Sequence, residues 1–387
     1  MRPSTHRRLR LVAVAVLAGL AIGFITLLTT STGLRTIRGG RIGGDFPAFY
    51  GAARIVRGGG TSSLYDAHAQ ETAERDLFPS GIQGRLPFPY PPFVALAYVP
   101  FTWMPFKWAF AVHALFMTGC VLAALAMMRS SMPVLGSHAL VVTAATLGFF
   151  PIFRALFGGQ NTPLSLLCAA GAAAAAARGR NLAAGVWTGV WLFKPQLALL
   201  VAVTLLLRST NRRRYVIGLG LVGSAYYLVG VALAGWTWPV WWLQHGAVPF
   251  ALEDVRVDRG NGISFVWLAT EAGVGPLGWM AAVSTAAFVF WTTWRRRLAA
   301  FPATALGAGA AVLISPYALY YDGGLAALAL ITSVASRPST AAAAAAIWLL
   351  AFLQPLRAWF PLPPITIVVV LSMWLVSRIG ADSAHRD

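Results

Sequence analysis

Apolar segments of near-bilayer length recur from residue 9 to residue 378, and short arginine clusters separate them. A helix needs about 20 apolar residues to cross a bilayer, and fewer where the membrane thins or neighbouring protein shields its ends. A water-soluble core of this chain length cannot hide so much apolar surface. Of the 387 residues, 58% are hydrophobic and only 11% are charged, against about 25% charged in soluble domains. The expected fold class is therefore an all-α, polytopic membrane protein, with residues 1–387 forming a single integral membrane domain.

Read against the arginine clusters, the apolar runs give about twelve spans. The first, 9–30, is longer than a signal-peptide core and no A-x-A site follows it, so it is expected to stay as a span with its N-terminus in the cytoplasm. A long polar segment, 31–105, comes next, followed by spans at 106–128, 138–157 and 162–177. Residues 181–207 read as a hairpin broken at Lys194-Pro195. Spans at 215–235, 276–294, 299–316, 323–336, 340–354 and 365–378 complete the set, with a tryptophan-rich outer loop at 236–275. Both termini then lie in the cytoplasm, as the positive-inside rule expects from the clusters around Arg178, Arg213 and Arg296. Of the twelve acidic residues only Asp382 and Asp387 fall on that side. The outer face thus carries a mixed-sign polar surface, as a working site would.

The formal net charge of +18 does not indicate a nucleic-acid partner. Only Lys107 and Lys194 are lysines, and the arginines sit between apolar runs, where membrane topology accounts for them. Cys120 and Cys168 both fall inside spans and offer neither a disulfide framework nor a zinc spacing. No metal site is evident, and no glycine-rich phosphate loop or nucleotide-binding pattern is present.

The first outer segment is the most informative. It reads Gly43-Gly44-Asp45-Phe46-Pro47-Ala48-Phe49-Tyr50, and Phe49, Ala53 and Val56 recur at helical spacing before Gly58, Gly59 and Gly60 stop the pattern. This predicts a short helix lying along the membrane surface, with a second opening at Leu64-Tyr65-Asp66. Phe88-Pro89-Tyr90-Pro91-Pro92 leads the chain back to the membrane. Asp45 either caps the first helix, an ordinary duty for Asp, or serves as a partly desolvated general base. Lys194, at the tip of the broken hairpin, is costly at membrane depth unless it is used or snorkels to the interface. Arg154, within the 138–157 span, meets the same argument. Gln160 and Asn161, at an outer turn beside two glycines, can hydrogen-bond a ligand or merely satisfy the turn. Asp322 is a ligand contact, a partner for a cation or a cap, and the neighbouring Tyr317, Tyr320 and Tyr321 read as an interfacial belt. His113 and His245 read as structural.

Six motifs in order carry a family resemblance: Gly44-Asp45 with Tyr50, Ala52 and Ala53; Leu64-Tyr65-Asp66; Tyr90-Pro91-Pro92; Gly159-Gln160-Asn161 with Leu164; Gly185 and Gly189 ahead of Lys194-Pro195; and Ser315-Pro316-Tyr317 with Tyr321-Asp322. Over residues 9 to 336 the chain resembles glycosyltransferase family 87, a group of GT-C membrane transferases that includes mannosyltransferases dependent on polyprenol-phosphate-mannose. The resemblance implies a GT-C-type helical bundle that transfers a hexose, in the first instance mannose, from a polyprenyl-phosphate donor. The acceptor would be a cell-envelope lipid or glycan on the outer face, with inversion at the sugar. It implies that Asp45 is the catalytic base. The donor phosphate would be met by outer cations drawn from Lys194, Arg154, Arg256, Arg259 and Arg357, and the substrates by Gln160, Asn161, Asp322, Asp66 and Tyr90. No cofactor or metal is implied, since such donors do not require a cation as nucleotide sugars usually do. Family members often carry a histidine near the position held here by Tyr321-Asp322. The rival readings are a lipid or glycan transporter, which usually buries several ionisable groups at mid-membrane, and a non-catalytic assembly partner.

Overall fold

The computed structural model describes residues 3–32, 34–37, 39–78, 86–254 and 260–379, except for the side chains of residues 3–5, 253 and 254. Helices account for the regular structure, and the described residues include only three isolated β-bridges. The helix edges fall close to the arginine clusters: Pro3–Thr30, Phe106–Arg129, Thr162–Ala177, Pro195–Arg208, Arg212–Ala234, Gly275–Arg295, Ala300–Ile314 and Pro364–Ser377. The 181–207 hairpin is broken as its Lys-Pro step requires, since Pro195 can open a helix but cannot continue one. A 3-10 turn at Trp191–Phe193 separates helix Asn181–Val190 from Pro195–Arg208.

Among the described residues, four helices are long and apolar enough to cross a membrane on their own: His6–Thr30, Phe106–Arg129, Arg212–Ala234 and Pro338–Trp359. A fifth would be Ala139–Leu147 joined to Phe150–Phe157, which bend by 64° at the break. The expected count of twelve is not reached by this criterion. The remaining apolar helices have 10–17 residues, or about 15–25 Å at 1.5 Å per residue, short of a hydrocarbon core of about 30 Å.

Packing follows from small side chains. Every residue from Phe301 to Leu313 in Ala300–Ile314 is buried, and most are Ala or Gly. Nearly the whole of the alanine-rich Thr162–Ala177 helix is buried too. In lipid the hydrophobic effect does not drive helices together, so close backbone approach and dispersion must do so. The closest approach joins Asn181–Val190 to Arg212–Ala234. A Cβ on Gly185 would lie 2.0 Å from the Tyr215 carbonyl oxygen, and one on Gly218 would lie 2.1 Å from that of Leu182. Pro3–Thr30 and Arg212–Ala234 leave most of their apolar surface uncovered by protein, as lipid-facing helices do.

Helix Phe46–Arg57 packs into the protein over most of its surface. Phe46 through Ala53, and Val56, are buried, because Phe46 packs in an aromatic cluster with Phe101, Phe106 and Phe110. The Tyr50 hydroxyl donates to the Met104 carbonyl at 2.9 Å and Arg57 to that of Thr102 at 2.8 Å. Helix Ala67–Arg75 does keep a polar outer face.

The glycine contact gives a test. Gly218→Val should cost about 1–3 kcal/mol by overpacking and lower the unfolding temperature in detergent. Gly220→Ala, at a position with nothing within 4 Å of the added carbon, should leave that temperature unchanged or slightly higher. Equal behaviour of the two variants would show that the helix pair is not held by this contact.

Candidate active site

The site begins where two glycine turns touch. Gly44 (φ +53°) and Gly159 (φ +66°) both adopt the left-handed region, which favours glycine. A Cβ on Gly44 would stand 2.8 Å from the Gly158 Cα, and one on Gly159 would stand 2.4 Å from the Phe46 Cβ. Backbone therefore meets backbone, and the Asp45 N–H donates to the Gly158 carbonyl at 2.9 Å. This seats the start of helix Phe46–Arg57 against the turn between Phe150–Phe157 and Thr162–Ala177.

Asp45 stands at the N-cap of its helix but makes no capping hydrogen bond. Its Oδ2 instead accepts from Gln160 Nε2 at 2.5 Å. Asp66, by contrast, caps its own helix, Ala67–Arg75, with Oδ1 accepting from the Ala69 N–H at 2.7 Å. Asp66 is solvent-exposed and the structure does not bring it to the cluster.

Three successive residues of the turn then reach three distant parts of the chain. Gln160 meets Asp45, the Asn161 Oδ1 accepts from the Tyr90 hydroxyl at 3.4 Å, and the Thr162 hydroxyl donates to Asp322 Oδ1 at 3.2 Å. Gln160, Asn161 and Thr162 are all buried, and the Oε1 of Gln160 has no hydrogen-bond partner among the described residues. Tyr90 is held by its neighbours. Its carbonyl accepts from the Tyr65 hydroxyl at 2.7 Å, and the preceding Pro89 carbonyl accepts from the Trp242 indole at 2.8 Å. Part of the tryptophan-rich loop thus braces the site. Burial raises the Tyr90 phenol pKa well above its ordinary value, and the carboxylates of Asp322 and Asp45 push it further the same way.

Lys194 does not snorkel. It is 3% exposed, and its Nζ donates to Asp322 Oδ1 at 2.8 Å. The ammonium also lies 5.9 Å from the ring centre of Tyr90 and 5.8 Å from that of Tyr321, within reach of cation–π attraction. Tyr321 is buried beneath this pair and is not an interfacial belt residue. Asp322 completes its set by accepting from the Leu319 N–H at 3.3 Å.

The other expected cations are placed differently. Arg154 is exposed, donates to the Tyr320 hydroxyl at 3.1 Å, and has no carboxylate partner among the described residues. Arg357 pairs with Glu271 at 3.1 Å. Arg256 and Arg259 lie outside the described residues. Arg41, passed over in the sequence, pairs with buried Glu74 at 3.4 Å. Burial lowers the Arg41 guanidinium pKa, while Glu74 and Asp45 act to raise it. Its position four residues before Asp45 was the only available signal. His113 is buried with Nε2 3.1 Å from the Tyr98 hydroxyl, and His245 Nδ1 lies 3.0 Å from the Trp241 carbonyl. Among the described residues no three His, Cys, Asp or Glu side chains gather as metal ligands would.

Three helices start at this cluster and run to arginine. Thr162–Ala177 is followed by Arg178, Pro195–Arg208 ends on Arg208, and Ala326–Ser336 is followed by Arg337.

The ion pair yields a prediction. Lys194→Met should destabilise the protein by about 3–5 kcal/mol, because Asp322 is left as a buried charge without its partner. The double variant Lys194→Met/Asp322→Leu should recover most of that loss in thermal unfolding. A double variant as unstable as the single one would show that the charge pairing is not what holds these segments.

The sequence pattern of glycosyltransferase family 87 matches residues 88–316, more than half of the chain. No curated protein and no solved structure gives a significant match. The matched span contains Tyr90, Gln160, Asn161 and Lys194, while Asp45 and Asp322 lie outside it and join it through the hydrogen bonds above. The chain belongs to glycosyltransferase family 87 and is a membrane glycosyltransferase.

Proposed function

We propose that the enzyme transfers a hexose, mannose in the first instance, from a polyprenyl-phosphate donor to a lipid or glycan acceptor of the cell envelope. In this reading the chain crosses the membrane twelve times, both termini are cytoplasmic, and the site opens on the extracytoplasmic face. The three helices that start at the cluster and lead to Arg178, Arg208 and Arg337 support that orientation.

The observation that carries the proposal is the diversion of Asp45. A carboxylate at a helix N-cap would ordinarily bond to that helix. This one turns to Gln160, in a cluster of amides, phenols and a second carboxylate suited to sugar hydroxyls. In the reaction the acceptor oxygen attacks the anomeric carbon, and its proton passes to the Asp45 carboxylate. The bond from that carbon to the phosphate oxygen breaks, and polyprenyl phosphate leaves as an anion. Attack opposite the leaving group inverts the sugar. Asp322, already neutralised by Lys194, is a hydrogen-bond acceptor rather than a second base. Arg154 is the best-placed described cation for the departing phosphate, since Lys194 and Arg357 are engaged by carboxylates.

The test supplies radiolabelled polyprenyl-phosphate-mannose and an envelope-lipid extract to the protein in lipid nanodiscs. Asp45→Asn should lower product formation by about 10²–10⁴-fold, the ordinary contribution of a general base, with the unfolding temperature unchanged. Equal product from both proteins would remove Asp45 from catalysis. Product with other polyprenyl-phosphate sugars but none with mannose would retain the mechanism and change the donor.

A further inference from the structure

A second site lies at the far end of the helix that leaves Lys194. Helix Pro195–Arg208 carries the chain about 20 Å from Lys194 at 1.5 Å per residue. There its final turns meet those of Gly275–Arg295 and border an open groove of about 480 Å³. The groove is lined by Val203, Leu207, Phe290, Trp291 and Trp294, all apolar or aromatic. Both helices end on arginine, Arg208 and Arg295.

Among the described residues these two arginines have no hydrogen-bond or carboxylate partner, whereas Arg41, Arg54, Arg75 and Arg357 are each ion-paired. The Nε of Arg208 is closed off from solvent and still unbonded. No Asp or Glu occurs at 195–252 or at 272–321, so neither helix nor its flanks can supply a counter-charge. The helix C-termini offset about half a charge each, which leaves the pair of arginines positive by roughly one unit.

We propose that this groove binds one anionic phospholipid, with an acyl chain along Leu207 and Trp291 and the phosphate between Arg208 and Arg295. Lipid tails are as apolar as the groove wall, so the groove gives no preference among lipids by hydrophobicity. Selectivity resides in the guanidinium groups, whose planar donor forks match phosphate oxygens in bidentate fashion. The site does not depend on the donor or acceptor proposed for the catalytic cluster.

The experiment is native mass spectrometry of the full chain released from vesicles of equal phosphatidylglycerol and phosphatidylcholine. The wild type should retain one phosphatidylglycerol in preference to phosphatidylcholine. A basic side chain near the surface is worth roughly fivefold in affinity for anionic lipid. Arg208→Gln or Arg295→Gln should each cut the preference by about that factor, and the double variant by roughly thirtyfold. Val203→Trp, which narrows the groove and leaves the arginines in place, should weaken retention; it decides the matter if the double variant does not fold. Undiminished preference in the double variant, or undiminished retention in Val203→Trp, would overturn the proposal. So would a rise in unfolding temperature with inorganic phosphate alone equal to that with the lipid, which would mean a simple anion site.

Discussion

The buried contact between Lys194 and Asp322 organises the upper part of this protein. An ammonium and a carboxylate both removed from water are tolerated only when they meet each other and their remaining hydrogen-bonding capacity is filled. Asp322 meets that demand with three donors from three places: the tip of a broken hairpin, the start of Thr162–Ala177 and its own turn at Leu319. Satisfying one charge therefore fixes where three helices begin. Each then runs to an arginine, so the molecule has a polar, mixed-sign end and an arginine-rich end.

Below that contact the bundle closes through small residues. Ala300–Ile314 and Thr162–Ala177 form its interior because alanine and glycine let backbones approach closely where apolar bulk gives no advantage over lipid. The same logic operates at the site itself, where Gly44 and Gly159 let two turns touch. Trp242 braces the site from the side, since its indole holds the backbone that presents Tyr90.

Much of this was legible in the sequence. Apolar runs bounded by arginine set the helix edges, and the break at Lys194-Pro195 and the turn at Gly158–Asn161 appear where they were expected. Asp45, Tyr90, Gln160, Asn161, Lys194 and Asp322 could be singled out as residues. Their pairing could not, because Lys194 and Asp322 are 128 positions apart and only tertiary packing decides whether a cation keeps its charge for a ligand. Asp45 and Asp66 look alike locally, each ahead of a short helix, yet one caps and the other does not. The difference is the backbone contact at Gly158, which no local pattern encodes. The burial of helix Phe46–Arg57 was illegible for a related reason: the aromatic partners of Phe46 come from 55 to 64 residues later. The number of membrane crossings was the least legible feature, because short buried helices are shielded by protein as well as by their own length.

The run Gln160-Asn161-Thr162 touches Asp45, Tyr90 and Asp322 in turn. Each of its side chains is held by a different part of the chain, so the placing of one short segment sets the surroundings of both carboxylates and of the Tyr90 phenol. Displacing that segment would loosen three long-range contacts at once, although its three residues occupy a single turn of the backbone.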